Sequence, residues 1–469
     1  MTPLFALALT VLLIGYLIRR DCKGEPRTSP AVWIPTFWLL INGSRQVSQW
    51  LGTGTQISGQ RVQEGSAVDQ AVYGLLIIAG ILILANRHVR IGQLAKNNWW
   101  IILFFLYEGI SFVWSDFPLI SFKRWIKASG DFVMVFVLLS DPYPVRAITA
   151  TIKRAGYILI PLSVLLIKYY QDWGRIIDDW GRSYYTGVTL DKNMFGYLLF
   201  AYGLFFASGL VYAFRQYSSS RAATRPVLVS YALLLAMVAW LTPLANSKTS
   251  LVALVSGIAV ILALQFPQIK RNLWSFLIAT VLIAAISNVF FSIQGAVLEA
   301  SGRDATLTGR TEIWKTVLNE PNNPLLGTGY ASFWLGERLQ RIWALYPRTP
   351  LLQAHNGYIE VYLNLGVVGV ALLGAVLWTG LRNAGRRLRA AHDTTGNADD
   401  SLFRTFAIAY ILAYLVYNMT EATFQGLNFL FIIFLLLAFD FQRTCFDANG
   451  SYIEQKNGSV AVTSWESIN

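Results

Sequence analysis

Charged residues are scarce in this chain of 469 residues, where they make up only 14%. A soluble domain carries nearer to a quarter charged residues, so the composition excludes an ordinary cytosolic globular protein. Hydrophobic residues reach 55%, which also excludes a disordered chain, since disorder needs low hydrophobicity and high net charge. The abundance of apolar and aromatic residues instead suits a protein that spans a membrane, with aromatic belts at its interfaces.

Cysteine and histidine are rare as well. Cys22 and Cys445 lie near opposite ends of the chain and form no CxxC or Cys/His pattern, so neither zinc nor a disulfide framework is supported. Three histidines leave little material for a histidine metal site, and we expect no metal and no cofactor. The net charge of +12 does not indicate nucleic acid, because in a multi-pass membrane protein it mainly reflects loop orientation and anionic headgroups.

Long apolar runs predict an all-α integral membrane protein. A spanning helix needs roughly 20 mostly apolar residues, and about thirteen candidate segments meet or approach this length. Two of them are short, so twelve spans remain an alternative. The predicted segments are 3–18, 30–41, 68–85, 98–114, 128–140, 155–170, 194–213, 226–243, 250–265, 273–293, 358–380, 403–419 and 424–440.

The Lys and Arg residues indicate an orientation and a division of the chain. With thirteen spans and the N-terminus outside, they fall more often in cytoplasmic loops than in external ones, as the positive-inside rule requires. We therefore predict transmembrane helices over 1–294, a large external loop over 295–357, transmembrane helices over 358–440 and a disordered cytoplasmic tail over 441–469. A loop as long as 295–357 is more often functional than idle.

Two polar clusters lie at predicted helix starts on the outer side, LDKNMFG around Lys192 and ANSKTS around Lys248. Ser247 and Thr249 can cap the second helix, so that its first N–H groups face outward. A lysine beside a helix N-terminus makes electrostatic sense if an anion such as phosphate lies between them. The alternative is that Lys248 only extends toward lipid headgroups.

Two more clusters bound the long external loop. The sequence LTGRTEIW predicts a short amphipathic helix that starts at Thr308 or Thr311, with Arg310 placed to bind phosphate bidentately or to form a salt bridge at the rim. The sequence QAHNGYIE opens the next helix. Its His355 can accept a proton at neutral pH at the water–membrane boundary, although a lone histidine is more often a hydrogen-bonded structural residue.

These stretches resemble the bacterial O-antigen ligase and polymerase superfamily. The run GRTEIW…PNNPLLGTGYASFW…AHNGYIEVYLNLGVVGV is similar to its signature region, and NSKTSLVALVSG resembles its helix-mouth motif, whose basic position is often Arg. WSDFP…SFKRWIK, LDKNMFG and INGSRQVSQWL resemble the exopolysaccharide-production branch. The likeness runs from about residue 30 to 440, and only these short stretches are specific.

The resemblance implies a GT-C-like fold in the bacterial inner membrane, with the active site and the 295–357 loop facing the periplasm. Such proteins transfer a glycan from an undecaprenyl-pyrophosphate donor to an acceptor hydroxyl, are thought to need no metal, and work beside flippase and chain-length regulator proteins. Their basic and histidine positions carry over to Lys248, Arg310 and His355. Lys248 departs from the common Arg, which keeps the charge but loses the bidentate fork.

The implied mechanism assigns Arg310 and Lys248 to the departing pyrophosphate and His355 to the proton of the acceptor, with inversion at the anomeric carbon. Arg45 and Arg124 bind phosphate or headgroups, and Glu421 orients the histidine, binds sugar hydroxyls or is a solvated loop acid. Further substrate-binding candidates are Lys192, Asn193 and Asn356.

Other features of the sequence bear on the same site. Glu108 lies inside an apolar span, where a carboxylate is costly, so it is expected to face a partner or a cavity. Tyr and Trp residues of 330–346 either stack on sugars or anchor the loop at the interface.

A polymerase that extends a polysaccharide is the favoured function. The alternatives are a ligase that transfers glycan to lipid A-core and, in another class, a transporter. A transporter usually shows paired halves with a polar site at the membrane midplane, whereas here the polar residues concentrate at one face and in one loop.

Overall fold

A computed structural model describes most of the chain and is mainly helical, which confirms an all-α integral membrane protein. The described residues are 2–24, 27–53, 66–87, 91–177, 181, 183–217, 221–276, 310–346, 351–390, 398–441, 444–446, 452–456 and 459–463.

Residues 3–271 form thirteen of the described α-helices, with short 3₁₀ turns at Pro30–Val32 and Ser111–Trp114. The helices are α1 Pro3–Cys22, α2 Trp33–Asn42, α3 Val47–Trp50, α4 Ala67–Asn86, α5 Ile91–Asn97, α6 Trp99–Ile110, α7 Pro118–Leu139, α8 Pro144–Tyr169, α9 Gln171–Gly174, α10 Lys192–Tyr217, α11 Arg221–Ala245, α12 Lys248–Ala263 and α13 Pro267–Arg271.

The second half adds α14 Arg310–Asn319, α15 Gly336–Leu345, α16 Gly357–Ala390, α17 Ala398–Tyr417 and α18 Phe429–Ala438. A small hairpin pairs strand β1, Arg175–Ile177, with strand β2, Ser183–Tyr185. In the tail, β3 Thr444–Phe446, β4 Tyr452–Lys456 and β5 Ser459–Thr463 form an antiparallel sheet.

Within the described residues, seven helices are long and apolar enough to cross a membrane, namely Pro3–Cys22, Ala67–Asn86, Pro144–Tyr169, Lys192–Tyr217, Thr224–Ala245, Gly357–Arg389 and Asp399–Tyr417. Four shorter apolar helices, Pro30–Asn42, Trp99–Trp114, Lys248–Ala263 and Phe429–Ala438, coincide with further predicted spans. The predicted 128–140 segment lies within α7, and most of 273–293 lies outside the described residues. The count of twelve or thirteen spans therefore stays a prediction.

The core of the bundle surrounds α18, all of whose ten residues are buried. A helix that is apolar on every side belongs inside a bundle, where neighbouring helices can cover all of its faces. Aromatic contacts link it to its neighbours, with the ring of Phe434 5.6 Å from that of Tyr414 on α17 and Phe429 5.6 Å from Tyr202 on α10. By contrast, α1 and α4 leave large apolar side chains such as Leu12 and Leu75 exposed, as helices that face lipid do.

The connections predicted to face the cytoplasm meet on one face of the bundle. There the carboxylate of Asp21 lies 2.5 Å from Nζ of Lys153 and 2.7 Å from Nε of Arg154, and Arg146 pairs with Asp399 at 2.6 Å. The connections predicted to be external meet on the opposite end, which we call the outer-loop face. The predicted grouping of loops therefore agrees with their contacts.

The described part of the long loop contains two helices, α14 and α15, the first of which lies where the sequence predicted an amphipathic helix. It docks on α16 where that helix is interrupted at Gly366, whose φ is 64°. The N–H groups of Val367 and Val368 donate to the carbonyls of Pro324 and Leu325. Because a broken helix in a membrane must find other partners for its backbone groups, the loop completes the interrupted ladder.

The predicted tail over 441–469 is described only in part, and its described strands form the β3–β4–β5 sheet. The Ser-Val-Ala-Val-Thr run of β5 contains β-branched residues that favour a strand. The disorder of the tail as a whole stays a prediction.

Candidate active site

Glu421 lies at the centre of a polar cluster on the outer-loop face. Its Oε1 accepts a hydrogen bond from Nη2 of Arg310 at 2.5 Å, and its Oε2 lies 3.2 Å from Nδ1 of His355. The Glu421 side chain is only 5% exposed, so a carboxylate nearly removed from solvent has a partner at each oxygen. One buried acid thus joins the two residues that the sequence singled out in the long loop.

His355 is positioned by the turn that opens α16. Its φ is 51°, in the left-handed region that residues other than glycine seldom adopt. The next residue, Asn356, caps α16 by accepting two N–H groups of the first turn, and its amide nitrogen donates to the carbonyl of Met419 at 3.0 Å. The amide of Asn356 is engaged in these contacts, and its predicted substrate contact stays a prediction.

Arg310 is the first described residue of helix α14, which lies where the sequence predicted an amphipathic helix from Thr308 or Thr311. Val317 on its apolar side is fully buried, and the indole of Trp314 donates to the carbonyl of Ala354 at 3.0 Å. Ala354 precedes His355, so the packing of α14 holds the arginine beside the segment that carries the histidine. The sequence had left a rim salt bridge as the alternative for Arg310. The structure shows instead an ion pair with Glu421, whose carboxylate is shielded from solvent.

Lys248 is exposed in the first turn of α12, beside the same cluster. Ser247 caps this helix, with its Oγ accepting an N–H of the first turn. Thr249, the other predicted cap, instead contacts Thr420 through the two hydroxyls at 3.0 Å, and Nη1 of Arg310 lies 3.5 Å from its Oγ1. The start of α12 is thereby tied to both Arg310 and the turn before Glu421.

Asp191 caps α10 and adds a second acid near the cluster. Its Oδ1 accepts the N–H groups of Asn193 and Met194 at 2.8 and 2.9 Å. Desolvation by the surrounding protein raises the pKa of Asp191, although part of the residue is exposed. The two N–H groups lower that pKa, the nearby Glu421 carboxylate raises it, and His355 lowers it. The N-termini of α10, α12, α14 and α16 therefore all open on this site.

Lys192 and Asn193 lie in the first turn of α10, at the edge of the cluster. The Lys192 ammonium lies 4.4 Å from the ring centre of Tyr184 in the β1–β2 hairpin. The contact of Asn193 with Asp191 uses its backbone N–H, so its side chain is not part of the cap. Their predicted substrate contacts stay predictions.

Arg45 lies outside the cluster, which corrects its predicted role. Its guanidinium lies beside the stacked indoles of Trp50 and Trp173, 5.4 and 5.3 Å from their ring centres, and Nη2 donates to the Trp173 carbonyl at 2.6 Å. The residue is 7% exposed, and burial lowers the pKa of Arg45. A guanidinium enclosed in this way joins α3 to α9 and is not presented to phosphate or headgroups.

Arg124 lies in a different cleft from the Arg310–Glu421–His355 cluster. Its Nη1 donates to the carbonyl of Ala331 in the long loop. Headgroup binding, which the sequence slightly favoured, does not match this inward position. Glu108 lines the same cleft and is buried, which agrees with the expectation that it faces a cavity.

Sequence reasoning passed over Asp191, Thr249 and Thr420 as members of the site. Asp191 and Thr249 stand beside Lys192 and Lys248 in the polar clusters, and that adjacency was the available signal. Thr420 follows a helix end with no feature that marks it. No group of three or more His, Cys, Asp or Glu residues that could hold a metal is found among the described residues.

The fold and this cluster together define a multi-pass, all-helical membrane protein with a buried carboxylate that links an arginine and a histidine at one face. Residues 231–374 match the O-antigen ligase family. The chain is also 27% identical over 328 residues to the exopolysaccharide production protein ExoQ of Rhizobium meliloti, a match that covers 68% of this chain and 71% of the relative.

These two matches support placing the chain in the O-antigen ligase and polymerase superfamily, as its motifs predicted. The two matches support a ligase- or polymerase-like enzyme, whose reaction is the subject of the proposal below. The matched region contains Lys248, Arg310 and His355, and Glu421 lies beyond it.

Proposed function

We propose that the protein is a polysaccharide polymerase that transfers a glycan from an undecaprenyl-pyrophosphate donor to a sugar hydroxyl at the periplasmic face of the inner membrane. The observation that carries the proposal is the pair of contacts from Glu421 to Arg310 and His355. One acid supports both a cation for the leaving group and a base for the acceptor, which are the two groups that this transfer requires.

His355 is the proposed general base. An ionised carboxylate only accepts hydrogen bonds, so the contact with Glu421 assigns the ring proton to Nδ1 and leaves the lone pair on Nε2. Nε2 then takes the proton of the acceptor hydroxyl while the buried acid holds the ring and stabilises the imidazolium that forms. The side chain of His355 is 23% exposed, so it remains accessible to an acceptor.

Arg310 and Lys248 are the proposed stabilisers of the departing pyrophosphate. As the bond from the anomeric carbon to the phosphate oxygen breaks, its electron pair goes to that oxygen, and fixed cations lower the energy of the transition state. Arginine carries five N–H donors, of which the contacts to Glu421 and Thr249 use two. The helix N-termini around the site add further N–H groups that favour an anion.

The bonds and the proton of the proposed transfer are all accounted for in one step. The acceptor oxygen forms its bond to the anomeric carbon as its proton passes to Nε2 of His355, and undecaprenyl pyrophosphate leaves. Attack opposite to the leaving group inverts the anomeric configuration. No second carboxylate is needed to protonate the leaving oxygen, because pyrophosphate is already a good leaving group; a glycosidase acts on a poorer one with two acids.

A polymerase is favoured over a ligase by the relative named for exopolysaccharide production. Transfer to lipid A-core, the ligase reaction, is supported by the family match over 231–374. The glycans that accumulate on deletion separate the two. Loss of a polymerase leaves single repeats attached to the acceptor, whereas loss of a ligase leaves glycan on its lipid carrier.

The direct test uses purified protein in nanodiscs with a lipid-linked repeat and mass spectrometry of the products. We expect the wild-type protein to form longer lipid-linked glycan with inverted linkages, and His355→Ala to form none while it folds and binds donor. Complementation of a deletion strain should give the same ranking at equal protein level in the membrane. Full-length polymer from both His355→Ala and Arg310→Ala would overturn the assignment.

A further inference from the structure

A second cleft opens between α6, α7, the long loop and the start of α16. Its lining includes Glu108, Arg124, Tyr330, Trp334, Phe424 and Gln425, and its volume is about 140 Å³. A single buried water needs only about 10–15 Å³ of cavity volume, so the cleft has room for a ligand the size of a ring. The proposed transfer does not use these residues.

Some polar groups of the cleft are already engaged in building its walls. Glu360 accepts the indole N–H of Trp334 at 2.7 Å and the backbone N–H of Ala354 at 2.9 Å. Asn364 accepts the N–H groups of Ser332 and Phe333, and its amide nitrogen donates to Glu360. These two residues hold the loop against α16 and are not available to a ligand.

Glu108 has no such role. Its side chain lines the cleft and the residue is 4% exposed, yet its carboxyl has no hydrogen-bond partner among the residues that the structure describes. A buried carboxyl without donors is costly, so this position calls for a ligand that supplies them. Gln425 is exposed and also lines the cleft, which places an amide near the carboxyl.

Aromatic side chains form the other part of the lining. Trp334, Tyr330 and Phe424 are 8%, 6% and 4% exposed, so each presents only part of its ring to the cleft. A ligand that fits must combine hydroxyl donors for the carboxyl of Glu108 with apolar C–H faces for these rings. Sugar rings have both properties, whereas a lipid chain lacks the hydroxyls and a phosphate lacks the apolar faces.

We propose that this cleft binds the acceptor saccharide, with Glu108 and Gln425 accepting or donating hydrogen bonds to its hydroxyls and Trp334 stacking on a ring. The proposal rests on the proposed function and adds a subsite to it. The cleft and the active site share two chain segments, since Glu360 holds Ala354 next to His355, and Phe424 lies three residues after Glu421. A saccharide held by this wall would therefore lie against the chain segments that also carry His355 and Glu421.

The test is direct binding, which does not depend on turnover. The probe is the single-repeat oligosaccharide prepared from the producing organism's own polysaccharide, and saturation-transfer NMR and titration measure its binding to the protein in nanodiscs. We expect Glu108→Gln and Gln425→Ala to weaken binding about tenfold, since each substitution removes or changes a group that would hydrogen-bond a sugar hydroxyl. Glu320→Gln is the matched control, because that acid pairs with Arg341 elsewhere in the loop.

Kinetics separate this subsite from the transfer itself. Both cleft variants should raise the KM for the acceptor about tenfold while the affinity for the lipid-linked donor stays unchanged. Binding that depends on Glu108 in a protein without transfer activity would support the saccharide site and sink the proposed function. Active protein that does not bind the probe, or whose two cleft variants bind it as the wild type does, would overturn the subsite and leave the polymerase intact.

Discussion

Glu421 Oε2 lies 3.2 Å from Nδ1 of His355, although the two residues are 66 positions apart in the chain. The contact assigns the tautomer of the histidine and, through Oε1, places Arg310 in the same cluster. We expect such a carboxylate to affect the rate of transfer through the position and basicity of the imidazole ring, and not through contact with the sugar.

Glu421→Gln tests that relationship. The amide keeps the shape of the side chain but can donate to Nδ1, which favours the wrong tautomer and removes the charge beside Arg310. We expect kcat for transfer to fall about 10²–10⁴-fold, as when the acid of a catalytic triad is replaced by its amide. Glu320→Gln, an acid paired with Arg341 on the exposed part of the loop, should retain full activity. Transfer by Glu421→Gln at more than half the wild-type rate would contradict the role.

Arg310 can be tested with two substitutions of different severity. Arg310→Ala removes the cation, and the loss of one stabilising donor of this kind costs about 10²–10³ in rate. Arg310→Lys keeps the charge but not the planar fork, so it should recover only part of the activity. The measurement is single-turnover transfer from the lipid-linked donor. If Arg310→Lys is no better than Arg310→Ala, geometry matters more than charge at this position; if both are fully active, the residue has no part in the transfer.

Exchange of one cation for the other should matter less at Lys248 than at Arg310. The residue is exposed at the first turn of α12, and arginine keeps its positive charge, so Lys248→Arg should keep at least half of the activity. Lys248→Ala should lower kcat about 10²–10³-fold if the ammonium meets the pyrophosphate. An unchanged rate for Lys248→Ala, measured at several donor concentrations, would restrict this lysine to headgroup contact.

Gly366 tests how the long loop is held. A Cβ at this residue would lie 2.2 Å from the carbonyl carbon of Leu325, and its φ of 64° disfavours any side chain. We expect Gly366→Ala to lower stability by more than about 1 kcal/mol and to reduce transfer, because the loop that carries Arg310 docks there. Gly374→Ala in the same helix is the control, since its Cβ would meet no atom within 4 Å. Equal apparent Tm values for the two variants would refute this account of docking.

Substitution of Arg45 tests whether this cation has a structural role or binds substrate. Arg45→Ala removes contacts to Trp50 and Trp173 that are worth about 0.5–2 kcal/mol each, so the apparent Tm should fall. The kcat/KM of the folded fraction should not change. Arg341→Ala, which breaks an exposed ion pair, should leave the Tm nearly unaltered. A selective loss of donor affinity in Arg45→Ala would restore the role predicted from the sequence.

Local features could be read from the chain because they depend on neighbouring residues. Apolar runs locate the helices, since spanning length and hydrophobicity are local properties. The cap at Ser247 and the amphipathic helix that contains Arg310 follow from residue types within a few turns. The external cationic residues and His355 stood out because they are polar groups at the ends of apolar segments. The motif resemblance added their connection to one family.

Contacts between residues that are far apart in the chain could not be predicted in this way. Glu421 lies 111 positions from Arg310, and whether it is a solvated acid or a buried link depends on how α17 packs against α12 and the loop. The same packing places Arg45 against two stacked indoles and leaves the carboxyl of Glu108 without a donor among the residues that the structure describes. Hydrogen bonds and desolvation act over a few ångströms in space, so the role of each ionisable residue was settled only when distant helices came together.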